Sequence, residues 1–279
     1  MIANPCKGWQ ADTNGTNMAS ESNPRRVLIV LHQEHSTPGR IGRLLVEQGA
    51  ILDIRRPRFG DPLPQTMERH AGAIIFGGPM SANDPDEWMK RETDWIGTPL
   101  AEKKPFLGVC LGGQMLARHL GRRVYSRPEG SVEIGYYPIR PTVAGDASFG
   151  GPMPRMVYQW HREGFDPPGD ATLLAEGDQF PTQAFLYGSS AVALQFHPEV
   201  TYAMMCRWTT RAHERMQLPN AKPRQDHLDG WFQYDPAVAA WLDRFLRQWL
   251  ESGDARLAQP VVAGADAPRL FGELSVAAQ

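Results

Sequence analysis

The stretch Gly108-Val-Cys110-Leu-Gly112-Gly-Gln114 puts a thiol at a turn where it could act. It closes the apolar run Pro105-Phe-Leu-Gly-Val109 and is followed by Met115, Leu116, His119 and Leu120 at helical spacing. A side chain held on so tight a strand-to-helix turn needs small neighbours two residues away on either side. Gly108 and Gly112 supply them, as in the G-x-S-x-G turn of hydrolases. The start of a helix also favours a thiolate, because the positive end of the helix dipole stabilises the anion. Such a nucleophile needs a proton shuttle, and Gln195-Phe-His197-Pro-Glu199 offers one. His197 could take the thiol proton and return it to a leaving group. Glu199, facing the same way in extended chain, could hold the imidazole in the useful tautomer. Gly77-Gly78-Pro79 ends a third apolar run and could aim backbone N–H groups at a developing oxyanion. We assign the amides of Gly78 and Leu111 to that task, in which losing one donor typically slows turnover ~10²–10³-fold. Each part alone has a plainer reading: a buried cysteine, a loop histidine, a glycine pair that only turns the chain. Together they specify acyl transfer by a thiolate.

The elements that must position these residues follow from apolar periodicity. Val27–Leu31, Ile51–Ile54, Ala73–Phe76 and Pro105–Val109 read as strands. Between them lie helical stretches: Ile41, Leu44, Leu45 and Gln48 after Pro38, closed by Gly49, and a segment from Trp88 to Leu100. Continuous apolar strands alternating with helices predict a mostly parallel α/β sheet with helices on both faces, binding its ligand at the carboxyl ends of the strands. After Gly121 come strand-like runs at 122–126, 132–140, 172–175, 183–187 and 191–196, expected as antiparallel additions to the sheet. Asp235-Pro236 reads as an N-cap and first helical residue. The helix that follows has Val238, Trp241, Leu242, Phe245, Leu246 and Trp249 on one face.

Composition narrows the alternatives. A net charge of −2 gives no global field for nucleic acid or anionic membrane. Arg25-Arg26 and Arg55-Arg56-Pro57-Arg58 are short and read as solvated loop ends. Cys6, Cys110 and Cys206 have no metal-site spacing, Asp84, Asp86 and Glu87 read as capping groups, and no apolar run is long enough to span a membrane. Met204, Met205 and Trp208 are expected in the core. The polar residues 1–23 read as a disordered leader, with Met18 as an alternative start. Residues 24–250 form the domain, and 251–279 a weakly structured tail. With no targeting segment, the expected location is cytoplasmic.

The chain resembles the class I, or triad-type, glutamine amidotransferase domain from about Val27 to Val200. Gly108–Gln114 resembles that family's nucleophile motif, Phe196–Glu199 its His/Glu motif and Gly77–Pro79 its oxyanion loop; Gln159-Trp-His161, Leu173–Ala175 and Gln183–Phe185 agree in order. Gly113 stands where many members carry histidine. The resemblance implies a flavodoxin-like fold, with Cys110 as nucleophile, His197 as base and Glu199 as its orienter. It also implies a glutamine pocket formed by Gln114 and the segment Trp160-His161-Arg162, and no metal or organic cofactor. Glutamine would be hydrolysed to glutamate and ammonia, with the ammonia passed to a separate synthetase, since the chain carries no P-loop. A γ-glutamyl peptide hydrolase using the same triad, with Glu133–Tyr137 shaping its leaving-group pocket, and a non-catalytic regulatory module stay open, as does a homodimer.

Overall fold

The structure, a computed structural model, describes residues 25–253. The expected leader, and the expected tail apart from 251–253, lie outside the described residues. The first half alternates strand and helix: β1 (Arg26–Val30), α1 (Gly39–Glu47), β2 (Ile51–Arg55), β3 (Gly72–Ile75), α2 (Glu87–Trp95), α3 (Gly97–Ala101), β4 (Phe106–Val109) and α4 (Leu111–His119). The second half holds β5 (Val124–Ser126), β6 (Glu133–Pro138), β7 (Arg140–Pro141), α5 (Val143–Ala147), β8 (Met156–His161), β9 (Glu163–Phe165), β10 (Thr172–Glu176), β11 (Thr182–Tyr187), β12 (Ala191–Leu194), α6 (Tyr202–Arg211) and α7 (Arg224–Glu251).

Eight strands form one sheet in the order β2-β1-β3-β4-β12-β11-β10-β7. The first five are parallel and the last three antiparallel, which is the expected mostly parallel architecture. Counting β12 as a fifth parallel strand, the order is that of flavodoxin-like folds. Alternation along β1 shows how the two faces are made. Val27 and Ile29 join Leu31 in the cluster with α1 and the Trp241–Trp249 face of α7. Leu28 and Val30 pack on the other side with Met89 of α2, Ile96, and Met115 and Leu116 of α4.

Four sequence expectations change. β12, expected as an antiparallel addition, runs parallel beside β4 with Leu194 opposite Val109, and all four of its residues are buried. A strand with no polar face fits the covered centre of a parallel sheet. β5 and β6 leave the sheet altogether, pairing with β9 and β8 in separate two-stranded ribbons. The helix expected over 88–100 is interrupted at Ile96, where Gly97 and Pro99 break the i to i−4 ladder. Finally, α7 starts at Arg224 rather than at Asp235, and Pro236 lies inside it. The proline deprives the Phe232 carbonyl of its partner, but Phe232 is 72% exposed, so water can take the vacant place. Asp235 caps nothing; its carboxylate accepts two bonds from Arg40 Nη2, at 2.7 and 2.6 Å. Likewise Asp86 occupies the N-cap of α2 without a side-chain cap bond, and Asp84 accepts from the Ser81 N–H.

Candidate active site

β1, β3, β4 and β12 end at one edge of the sheet. There, between β1 and β3, the chain switches from building leftward to building rightward. Cys110 follows β4 directly, with φ +51° and ψ −105°, a conformation that costs energy in any residue with a Cβ. Its surroundings impose it. A Cβ on Gly108 would stand 2.4 Å from the Gly112 oxygen, and one on Gly112 only 2.0 Å from the Ile75 oxygen, so the turn closes to this radius only with glycine at both places. The Cys110 N–H donates to Leu194 O at 2.8 Å, tying the turn to β12. Gly113 also has a local reason: a Cβ there would approach Leu194 O to 3.1 Å.

β12 leads into Gln195–Glu199. The His197 N–H is fixed by Tyr158 O at 2.9 Å, and its Nδ1 lies 2.7 Å from Glu199 Oε1. The other ring nitrogen, Nε2, is buried with no hydrogen-bond partner among the described residues. A Cβ on Gly77 would lie 2.9 Å from His197 Cε1 and 3.5 Å from Cys110 Cβ, so that glycine leaves the cysteine and histidine side by side. Burial alone would lower the pKa of His197. The negative charges of Glu199 and Cys110, with the hydrogen bond from Nδ1 to Glu199, lift it instead to about 10.

The Gly77–Gly78 peptide is held from behind. The carbonyl of Gly77 can only accept, so His32 Nδ1, 3.2 Å away, carries the hydrogen, while His32 Nε2 faces Glu92 Oε1 at 2.8 Å. Both side chains are fully buried. Desolvation lowers the His32 pKa, but the Glu92 charge and hydrogen bond outweigh it and the net direction is upward. A Cβ on Gly78 would lie 3.1 Å from Leu111 Cδ2, so these two residues are neighbours. Leu111 opens α4, where a first-turn N–H has no partner within the helix.

A cavity of about 480 Å³, in the range of small-molecule sites, ~300–1,000 Å³, opens here, and Leu111 is not among the residues that line it. Gly77, Gly78, Cys110, His197, Glu199 and Trp160 reach it. Gln114, His161 and Arg162, expected in the substrate pocket, are not among its lining side chains. Gln114 Nε2 donates to Glu163 O. His161 lies between Glu163 O and Glu133 Oε2, inside a buried network that also takes in Gln183 and Gln159. Arg162 is exposed. The Glu133–Tyr137 segment is buried in β6 and does not shape the cavity either. Sequence reading missed the wall formed by α6. Met204 and Trp208, expected in the core, line the cavity, and the Trp208 ring stands edge-on to His197 with centroids 5.2 Å apart. Only Met205 of that trio is fully buried. Arg207, Arg211 and Arg215 line the same wall farther along. The signal was present in the i, i+3/i+4 spacing, but periodicity does not tell a cavity-facing stripe from a core-facing one.

Residues 35–205 match the family described as glutamine amidotransferase class-I. The chain is 32% identical over 189 residues to the glutamine amidotransferase-like protein YfeJ of Salmonella typhimurium, covering 63% of this chain and 76% of that one. It is 29% identical over 162 residues to gamma-glutamyl peptidase 5 of Arabidopsis thaliana, covering 55% and 63% respectively. Among solved structures it is similar to a glutamine amidotransferase of Thermotoga maritima, with a TM-score of 0.73, 29% identity, and coverage of 82% of this chain and 99% of that one.

Proposed function

Because the chain belongs to the class I glutamine amidotransferase family, we propose that it hydrolyses a γ-glutamyl amide bond, the side-chain amide of glutamine being the simplest case. The observation that carries this reading is the buried, unpartnered Nε2 of His197 beside Cys110, with Nδ1 already bound to Glu199. The raised pKa of His197 keeps its imidazole protonated at neutral pH, beside Cys110. The thiolate attacks the γ-carbonyl carbon and forms a C–S bond, and the carbonyl electrons move onto oxygen. The amides of Gly78 and Leu111 stabilise that oxyanion. Because C=O and N–H point opposite ways across a trans peptide, the His32 bond to the Gly77 carbonyl turns the Gly78 N–H toward the cavity. His197 then protonates the departing nitrogen as the C–N bond breaks. Water, deprotonated by His197, attacks the thioester; a C–O bond forms, the C–S bond breaks, and glutamate leaves.

In the glutamine reading, ammonia passes to a separate synthetase chain. The second reading, hydrolysis of a γ-glutamyl compound with a larger amine, is favoured by the cavity's extension along α6 beyond Trp208. One experiment tests the common core. Wild-type protein should release glutamate from glutamine or γ-glutamyl methylamide, and the warhead 6-diazo-5-oxonorleucine should modify Cys110, identified by peptide mass spectrometry. Cys110→Ala should lose both. Undiminished release by Cys110→Ala, or modification at another residue, sinks the reading.

A further inference from the structure

The outer wall of the cavity has no part in the chemistry just described. Arg207, Arg211 and Arg215 stand at i, i+4 and i+8 on α6 and the short 3-10 turn His213–Gln217, and all three line the cavity. Arg207 and Arg211 share a face of α6, while Arg215 reaches the same cavity from the turn that follows the break at Ala212, and like charges so placed repel one another. Among the described residues none of the three guanidinium groups has an ion-pair or hydrogen-bond partner. Two carboxylates also reach the cavity, and neither is paired with these arginines: Glu199 is held by His197, and Glu34 is exposed. A chain of net charge −2 thus sets three cations against two carboxylates around its candidate active site, one of those carboxylates already engaged.

The position of these arginines indicates which part of a ligand meets them. His197 must deliver its proton to the leaving nitrogen, so the amine side of the substrate lies on the His197 side of the cavity. Trp208, adjacent to Arg207, packs edge-on against that ring. The Gly78 amide, assigned to the oxyanion, serves the carbonyl side instead. Guanidinium groups bind carboxylate and phosphate in bidentate fashion and stay charged at every working pH.

We propose that Arg207, Arg211 and Arg215 form a subsite for an anionic group on the leaving amine, so that this protein prefers γ-glutamyl compounds whose amine carries a carboxylate or a phosphate. This rests on the hydrolase reading above and deepens it by naming the substrate class.

The test compares the full-length wild type with the triple variant Arg207→Ala/Arg211→Ala/Arg215→Ala and, as a milder change, Arg211→Gln. The substrates are γ-glutamylglycine, γ-glutamyl-phosphoethanolamine and the neutral γ-glutamylglycinamide. The wild type should favour the better anionic substrate over the neutral one by about tenfold or more in kcat/KM, the worth of one charge-assisted contact. That ratio should fall toward one in the triple variant and partway in Arg211→Gln. Carboxylate preferred over phosphate, or the reverse, identifies the anion. A wild-type ratio near one assigns the arginines to the amino-acid carboxylate that all three substrates share, and overturns the proposal, as does a ratio unchanged in the variants. Calorimetric binding of the same compounds to Cys110→Ala keeps the two readings apart. If Cys110 proves not to be the nucleophile, the hydrolase reading fails while a charge preference in binding still supports the subsite. Equal binding of charged and neutral compounds removes the subsite whatever the chemistry.

Discussion

A histidine whose pKa is raised from 6.5 to about 10 changes what the pH profile should look like. His197 keeps its proton through neutral pH, so protonation of the leaving amine persists until the pH rises through about 10. kcat/KM is therefore expected to fall on the alkaline side near that value, not near 6.5. Glu199→Gln removes the charge that raises this pKa, so the alkaline limb should move to lower pH while the rate drops about 10²–10⁴-fold. The same shift makes the pair a source of stability that is full below about pH 6.5 and lost as the pH climbs through about 10. Behind the site, we assign His32 a positioning role through its bond to the Gly77 carbonyl. His32→Ala is expected to lower kcat about tenfold, less than the ~10²–10³ for loss of an oxyanion donor, with KM little changed. His32→Asn, which can place an amide N–H near the site of Nδ1, should recover most of the rate, whereas a purely packing role would predict no rescue. Steady-state kinetics on the two variants decides this. Cys110, His197 and Glu199 were legible in the sequence because each sits in a short motif whose geometry is local. His32 and Glu92 were not, since a pairing across 60 positions leaves no periodic trace.

At the level of elements, the bond between Arg40 and Asp235 joins the start of α1 to the middle of α7. Arg40 also donates its backbone N–H to Glu199 O, and its guanidinium lies over the Trp231 ring at 5.2 Å. One residue thus connects the last helix to the loop that carries Glu199. Asp235→Ala should cost about 3–5 kcal/mol in chemical denaturation, because it strands a buried guanidinium. The double change Arg40→Met/Asp235→Leu should cost distinctly less, since it leaves no unpaired charge. The apolar half of α7 was legible from its spacing, but its first eleven residues were not. An Asp-Pro pair is a strong start signal, and only tertiary packing overrides it: His227 and Gly230 are buried against β6 and β8, with the Tyr136 ring where a Cβ on Gly230 would have to go. β5 and β6 were legible as strands, but their partners β9 and β8 were not, nor was the separation of these ribbons from the sheet, because alternation fixes a face and says nothing of the partner strand.

On the scale of the molecule, among the described residues no helix is long and apolar enough to cross a membrane. The two helix layers enclose the sheet so completely that the strand ends are the place where backbone N–H groups can meet a ligand. The parallel α/β plan was legible because unbroken apolar strands have few other destinations. The order of strands was not, and it has a temporal consequence. β12 follows β10 and β11 in the chain but pairs with β4 at the centre of the sheet, and it is β12 that carries the chain into His197 and Glu199. A chain synthesised only as far as Cys110, or even through β9, holds a thiol with no acid-base partner. Contacts of such high sequence separation form slowly, since the intervening loop must close first. During refolding from denaturant, ammonia release should therefore recover no faster than the slowest phase seen by tryptophan fluorescence, and amides of β12 should be among the last to gain protection from hydrogen exchange. Recovery of activity ahead of that protection would show that the nucleophile meets its base before the sheet closes. On this expectation Cys110 meets His197 late, through the strand that completes the centre of the sheet.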